Sequence, residues 1–140
     1  MKKQALTFIG VLSLLVAAGS AFAQTQTIVA NVPFNFSVNR TSMPAGPYSI
    51  SSVGDGGSVL LIRSTDGNAV KLITPNRTEA LKPSERSRLL FHCYGGDHCF
   101  LYQIWVSGAK SGRELPKSSF ENEVAANIRA RNVNVIASTR

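Results

Sequence analysis

Two histidine–cysteine pairs, His92-Cys93 and His98-Cys99, are the densest chemistry in this sequence. Placing Cys93 opposite Cys99 sets Tyr94 against His98 and closes a three-residue turn at Gly95-Gly96-Asp97. Such turns need one residue at positive φ, which glycine supplies. The same register predicts His92 opposite Phe100, Phe91 opposite Leu101 and Leu90 opposite Tyr102. Cysteines opposite each other at a non-hydrogen-bonded site lie near the separation a disulfide needs. The ring is short, so the loop-closure effect is only about 2 kcal/mol. The bond is expected to staple one hairpin rather than the whole fold.

The same four side chains invite a metal reading. Neighbouring strand residues point to opposite faces, so His92 and Cys93 could not both turn to one ion without a bulge. Structural zinc ligands usually sit about two to four apart around a tight knuckle. No metal and no other cofactor is expected. A redox dithiol is set aside because the spacing is C-x5-C and no helix start follows to lower a thiol pKa. Serine hydrolysis needs a nucleophile, a base and an orienting acid. No G-x-S-x-G occurs, and His92 and His98 are the only histidines. Asp55, Asp66 and Asp97 each sit in a glycine turn, where aspartate's usual work is local hydrogen bonding. No catalytic residue is assigned. A candidate binding surface remains: His92, Tyr94 and His98 on the hairpin, with Arg113 and Glu114 from a later polar stretch.

The elements that must position these groups are mostly strands. Phe34, Phe36 and Val38 alternate with polar residues, which puts them on one strand face. Pro33 before them belongs at an edge, a strand start or a bulge. Met43-Pro44-Ala45-Gly46-Pro47 is a turn, and Tyr48 to Val53 resumes as a strand. Val59 to Ile62 is an apolar run of buried-strand length. Thr65-Asp66-Gly67-Asn68 carries the Asp-Gly hairpin signal, with Ala69 to Thr74 pairing back. Pro75 to Arg88 and Gly108 to Lys117 read as surface loops, the latter with Gly112 to Ser118 as a candidate docked strap. Ser118-Ser119-Phe120-Glu121 has the form of a capping box. Phe120, Val124 and Ile128 extend it to a helix ending near Arg131. Asn132 to Ala137 is either a last strand or a frayed tail. Phe34, Phe36, Tyr48, Ile50, Leu60, Ile62, Phe91 and Leu101 are expected to share one core. Trp105 and Tyr102 are expected to pack, with an exposed aromatic strip as the alternative. The Asn-x-Ser/Thr triplets at Asn35, Asn39 and Asn76 read as chance matches. The fold class is mainly β: a single antiparallel β sandwich or partly open barrel of about seven strands, with one C-terminal helix.

Compartment is read from the start of the chain. Lys2 and Lys3 precede an uncharged apolar run from Leu6 to Ala18, and Ala21-Phe22-Ala23 has the small-x-small form of a signal-peptidase site. Residues 1–23 are expected to be a cleaved signal peptide, and residues 24–140 a single β-rich domain. The apolar run is shorter than the ~20 residues a membrane-spanning helix needs, and no transmembrane segment is expected after cleavage. The whole chain carries +7, and losing Lys2 and Lys3 leaves 13 basic against 8 acidic residues. The basic residues are not clustered, which argues against a polyanion site, and export argues against nucleic acid as a partner. Export also places both cysteines where disulfides form.

Several stretches together carry a resemblance. They are Val32-Pro33-Phe34-Asn35-Phe36-Ser37-Val38, Pro44-Ala45-Gly46-Pro47-Tyr48-Ser49-Ile50, Val59-Leu60-Leu61-Ile62-Arg63, Leu90-Phe91-His92 with Tyr94-Gly95, and Gly112-Arg113-Glu114-Leu115-Pro116-Lys117-Ser118. With these the chain resembles a group of small, uncharacterised, exported bacterial proteins. The group brings no catalytic residues across. Cys93 and Cys99 depart from its pattern, in which a basic residue and an aromatic one stand at those places. The resemblance therefore implies a fold that stands without the disulfide. The expected role is an exported non-catalytic binding or scaffolding module of the envelope or the extracellular space, secreted or periplasmic, whose partner is an envelope polymer or protein. The competing reading is a small secreted enzyme with a site near the His92 hairpin.

Overall fold

Alternation of apolar and polar side chains builds most of the strands, and the turns fall where glycine, proline and aspartate cluster. The computed structural model describes residues 26–140; the expected signal peptide and its cleavage point lie outside the described residues. The strands are β1 (Thr27–Val32), β2 (Phe36–Val38), β3 (Thr41–Met43), β4 (Gly46–Val53), β5 (Val59–Ser64), β6 (Val70–Ile73), β7 (Asn76–Glu79), β8 (Arg88–Tyr94), β9 (His98–Trp105), β10 (Ser111–Glu114) and β11 (Ala130–Thr139). One α-helix, α1 (Ser119–Ala125), precedes β11, and a 3-10 turn covers Asp55–Gly57.

The strands form one sheet in the order β3-β2-β9-β8-β11-β1-β4-β5-β6, with β10 on β9 and β7 on β10. The ladders are antiparallel except for a single parallel bridge, Ser37 to Phe100. Edge strand β6 runs through Thr74 and Pro75 directly into edge strand β7. The sheet thus curls into a mainly β, nearly closed barrel, with one α-helix among the described residues. The strand count exceeds the expected seven because β3, β7 and β10 are too short or too polar to show apolar alternation.

Inward-facing side chains fill the interior. Phe36, Tyr48, Ile50, Leu60, Ile62, Phe91 and Leu101 are buried, and Phe34 is half-buried against them. Phe91 meets Phe34 and Phe36 edge to face, with ring centroids 5.0 and 5.3 Å away, a favoured geometry for aromatic quadrupoles. The Asp66 turn works locally: Ser64 Oγ and the Asn68 backbone N–H both donate to Asp66 Oδ1. These bonds, that of Ser64 foremost, hold the Asp66 carboxyl below its ordinary pKa.

Three expectations need correction, and the open choice for Asn132 to Ala137 between a last strand and a tail falls to the strand. The two polar loops contain β7 and β10, which pair with each other from Ser111–Glu79 to Glu114–Asn76. The helix stops at Ala125 rather than near Arg131, because residues from Ala130 onward are drawn into β11 between β8 and β1. Arg129 therefore lies beyond the helix, and Arg131 pairs with Cys93. Finally, a β-bulge breaks the hairpin register, so Leu90 faces Gln103 rather than Tyr102.

Candidate functional site

The hairpin β8–β9 divides its residues between two worlds. Cys93 and Cys99 face the core and are joined by a disulfide, with Cα atoms 4.0 Å apart. His92 and Tyr94 alternate to the outer face, where α1 covers them. The bulge makes Tyr102 the extra residue of β9, and its ring stacks on His92 with centroids 3.9 Å apart and planes 24° apart.

The helix is fastened there by its own cap residue. Ser118 Oγ accepts the Glu121 backbone N–H at 3.1 Å, one half of a capping box. The Glu121 carboxylate is turned onto the hairpin instead: Tyr94 donates its hydroxyl to Oε1 at 3.0 Å, and His92 Nδ1 lies 3.2 Å from the same oxygen. Glu121 is 5% exposed and Tyr94 1%. Burial first, then the bond to Glu121 and its charge, pushes the Tyr94 hydroxyl up to about 12. A histidine beside a carboxylate could serve as a general base. Here the ring lies under Tyr102, and its hydrogen-bond partner among the described residues is Glu121. The cluster acts as a tether for the helix.

The strap β10 brings the remaining candidates. Glu114 accepts from Gln103 Nε2 at 2.7 Å, and Gln103 Oε1 accepts Trp105 Nε1 at 3.0 Å. Burial, then the Glu114 charge, raises the Tyr102 hydroxyl pKa. Trp105 is buried and lies over Gly112, so close that a Cβ there would stand 2.8 Å from its ring. Arg113 pairs with Ile104, a core residue, and opposite residues in a ladder share a face. It therefore points inward, and its guanidinium donates to the Gly57 carbonyl at 3.4 Å. The five candidate residues do not form one surface. His92 and Tyr94 meet on Glu121, and His98 is exposed at the hairpin tip beside Phe120, with centroids 5.9 Å apart. Glu114 belongs to the outer network and Arg113 to the barrel end.

An open cleft of about 670 Å³ occupies that barrel end. Ile28, Ile50, Leu60 and Ile104 line its floor, and Arg77, Arg113, Ser51 and Ser52 its sides. The turn at Gly54, Gly56 and Gly57 forms part of the rim, each glycine at a positive φ of 66–80° that L side chains rarely adopt. A shallower groove of about 530 Å³ runs past Leu81, Arg88, Trp105 and Ile136 on the outer face. Neither is lined by His92. The sequence does not mark Arg77, because it lies in a polar stretch with no periodicity. Its only signal was membership of a segment that had to run between two strands.

Comparison with protein-family models, curated proteins and solved structures finds no match. Among the described residues, no three His, Cys, Asp or Glu side chains gather as metal ligands would. No helix among them is long and apolar enough to cross a membrane.

Proposed function

We propose that the protein is an exported, non-catalytic binding module of the bacterial envelope, akin to the small exported proteins it resembles. The supporting observation is the contrast between its two candidate regions. The His92 cluster is packed shut by Tyr102 and Glu121, whereas the barrel end is open, concave and apolar-floored with a few polar groups at its rim. That combination is the usual make-up of a small-molecule site. The disulfide suits an oxidising compartment. The test is twofold. Cells expressing the full chain are fractionated and the exported protein is weighed; it should begin at Gln24 with both cysteines oxidised. That protein is then melted with and without an organic extract of the same envelope fraction. A ligand that binds only the folded state raises Tm. Protein retained inside with Met1 intact overturns export, and an unmoved Tm at saturating extract overturns binding.

A further inference from the structure

We propose that the barrel-end cleft takes an amphipathic anion, a carboxylate or phosphate monoester on an apolar tail, with Arg113 and Arg77 receiving the head. The assignment rests on the binding reading above and adds the ligand class. Its starting point is a pair of like charges. In the β7–β10 ladder Arg77 stands directly opposite Arg113. Both therefore share the face of Ile104, which is the barrel interior. Like charges directly opposite destabilise a ladder, and the protein offsets this only in part. Glu79 lies 3.3 Å from Arg77, but both side chains are about 70% exposed, where an ion pair is weak. Arg113 makes one long bond to the Gly57 carbonyl, although a guanidinium carries five N–H donors in a rigid fork.

A carboxylate or phosphate is the group that such a fork matches bidentately. Bound between the two guanidiniums, it would turn their repulsion into attraction. Beneath them the cleft floor is apolar, formed by Ile28, Ile50, Leu60 and Ile104, which gives a hydrocarbon tail a place to leave water. A cation would meet two positive charges. A bare inorganic anion would leave the floor unused.

Calorimetric titration and amide chemical-shift mapping test this on the ¹⁵N-labelled protein purified after expression of the full chain. The probes are decanoate, decyl phosphate, decanol and decyltrimethylammonium, each below its micelle concentration, with acetate and inorganic phosphate as heads alone. Decanoate or decyl phosphate should bind and shift the amides of Gly54 to Gly57 and Ser111 to Arg113. The two heads tell a carboxylate from a phosphate source. Affinity should fall about tenfold or more in Arg113→Gln, as for loss of a charge-assisted bond, and less in the exposed Arg77→Gln, which keeps the fold. It should also weaken with salt, unlike any binding of decanol. Decanol binding as tightly as decanoate, or affinity in both arginine variants unchanged from the unaltered protein, overturns the anion and leaves a neutral-ligand cleft. Shifts confined to residues elsewhere, or binding by no probe, overturn the assignment; the envelope-extract melts then decide separately whether the protein binds anything.

Discussion

Replacing Gly112 by alanine is the sharpest test of how the strap is held. The added Cβ would stand 2.8 Å from Cδ2 and Cε3 of Trp105 and 3.0 Å from the Ile104 carbonyl oxygen. Neither neighbour yields easily. The carbonyl belongs to the β9 backbone, and the indole is held by its bond to Gln103, which Glu114 holds in turn. Overpacking of this kind costs about 1–3 kcal/mol. If the ring swings away, the lost Trp105–Gln103 bond adds about 1 kcal/mol. The expected loss is therefore about 2–4 kcal/mol, a large share of the roughly 5–15 kcal/mol that holds a domain together. The chain has one tryptophan, 6% exposed, so its emission reports the same event. Denaturant melts should show the loss of stability, and native emission should shift to the red. Gly96→Ala is the control, since nothing lies within 4 Å of a Cβ there; it should change stability little. Equal melts for both variants with unshifted emission would refute the packing of β10 against Trp105. Because β10 also carries Arg113, Gly112→Ala should weaken decanoate binding as well.

Other outcomes follow from single contacts. The Cys93→Ala, Cys99→Ala double variant should fold and melt lower by about 2 kcal/mol for the lost ring closure, plus whatever the two buried sulfurs contribute to packing. Failure to fold, seen as a missing cooperative melt, would show the disulfide to be essential. Ser118→Ala removes the acceptor for the Glu121 N–H and should cost about 1 kcal/mol by thermal melt. Tyr94 has its folded pKa raised to about 12 from 10.0. Its contribution is whole below pH ~10 and fades as pH climbs towards ~12, since the unfolded chain releases that proton first. Stability measured across that window should fall less steeply in Tyr94→Phe, although Tyr48 and Tyr102, also raised, keep part of the slope.

The strands whose side chains alternate were legible because burial writes a period of two into the sequence. Phe36 and Ile50 are such positions, Ile62 is marked by its unbroken apolar run and Phe91 by the hairpin register, and all four are buried. The Cys93–Cys99 hairpin was legible as far as its turn chemistry reached, from Tyr94–His98 out to Phe91–Leu101. Beyond that the bulge shifted the register, and nothing in Tyr102 or Gln103 announces an extra residue. The strands β7 and β10 were hidden for a different reason. They pair polar residues with polar residues at a separation of more than thirty positions, Glu79 with Ser111 for instance, and no local pattern encodes a partner so distant. The helix was overextended because Ile128 continued its spacing while the competing claim of β8 on Ala130 to Ile136 was invisible. The arginine pair at the barrel end was lost with those strands, since Arg77 and Arg113 meet only through the β7–β10 ladder. The sequence marks Glu121 only as a capping residue; that it holds Tyr94 and His92 depends on the helix lying over the hairpin.

The central proposal is that ligand is recognised at the barrel end while the His92 cluster tethers the helix. One paired titration tests this most directly: decanoate into His92→Gln and into Arg113→Gln, each shown to be folded by its melt. Affinity close to that of the unaltered protein in His92→Gln, with a loss of about tenfold or more in Arg113→Gln, is the predicted result. Loss of binding in His92→Gln with full affinity in Arg113→Gln would contradict it and move the functional site to the hairpin.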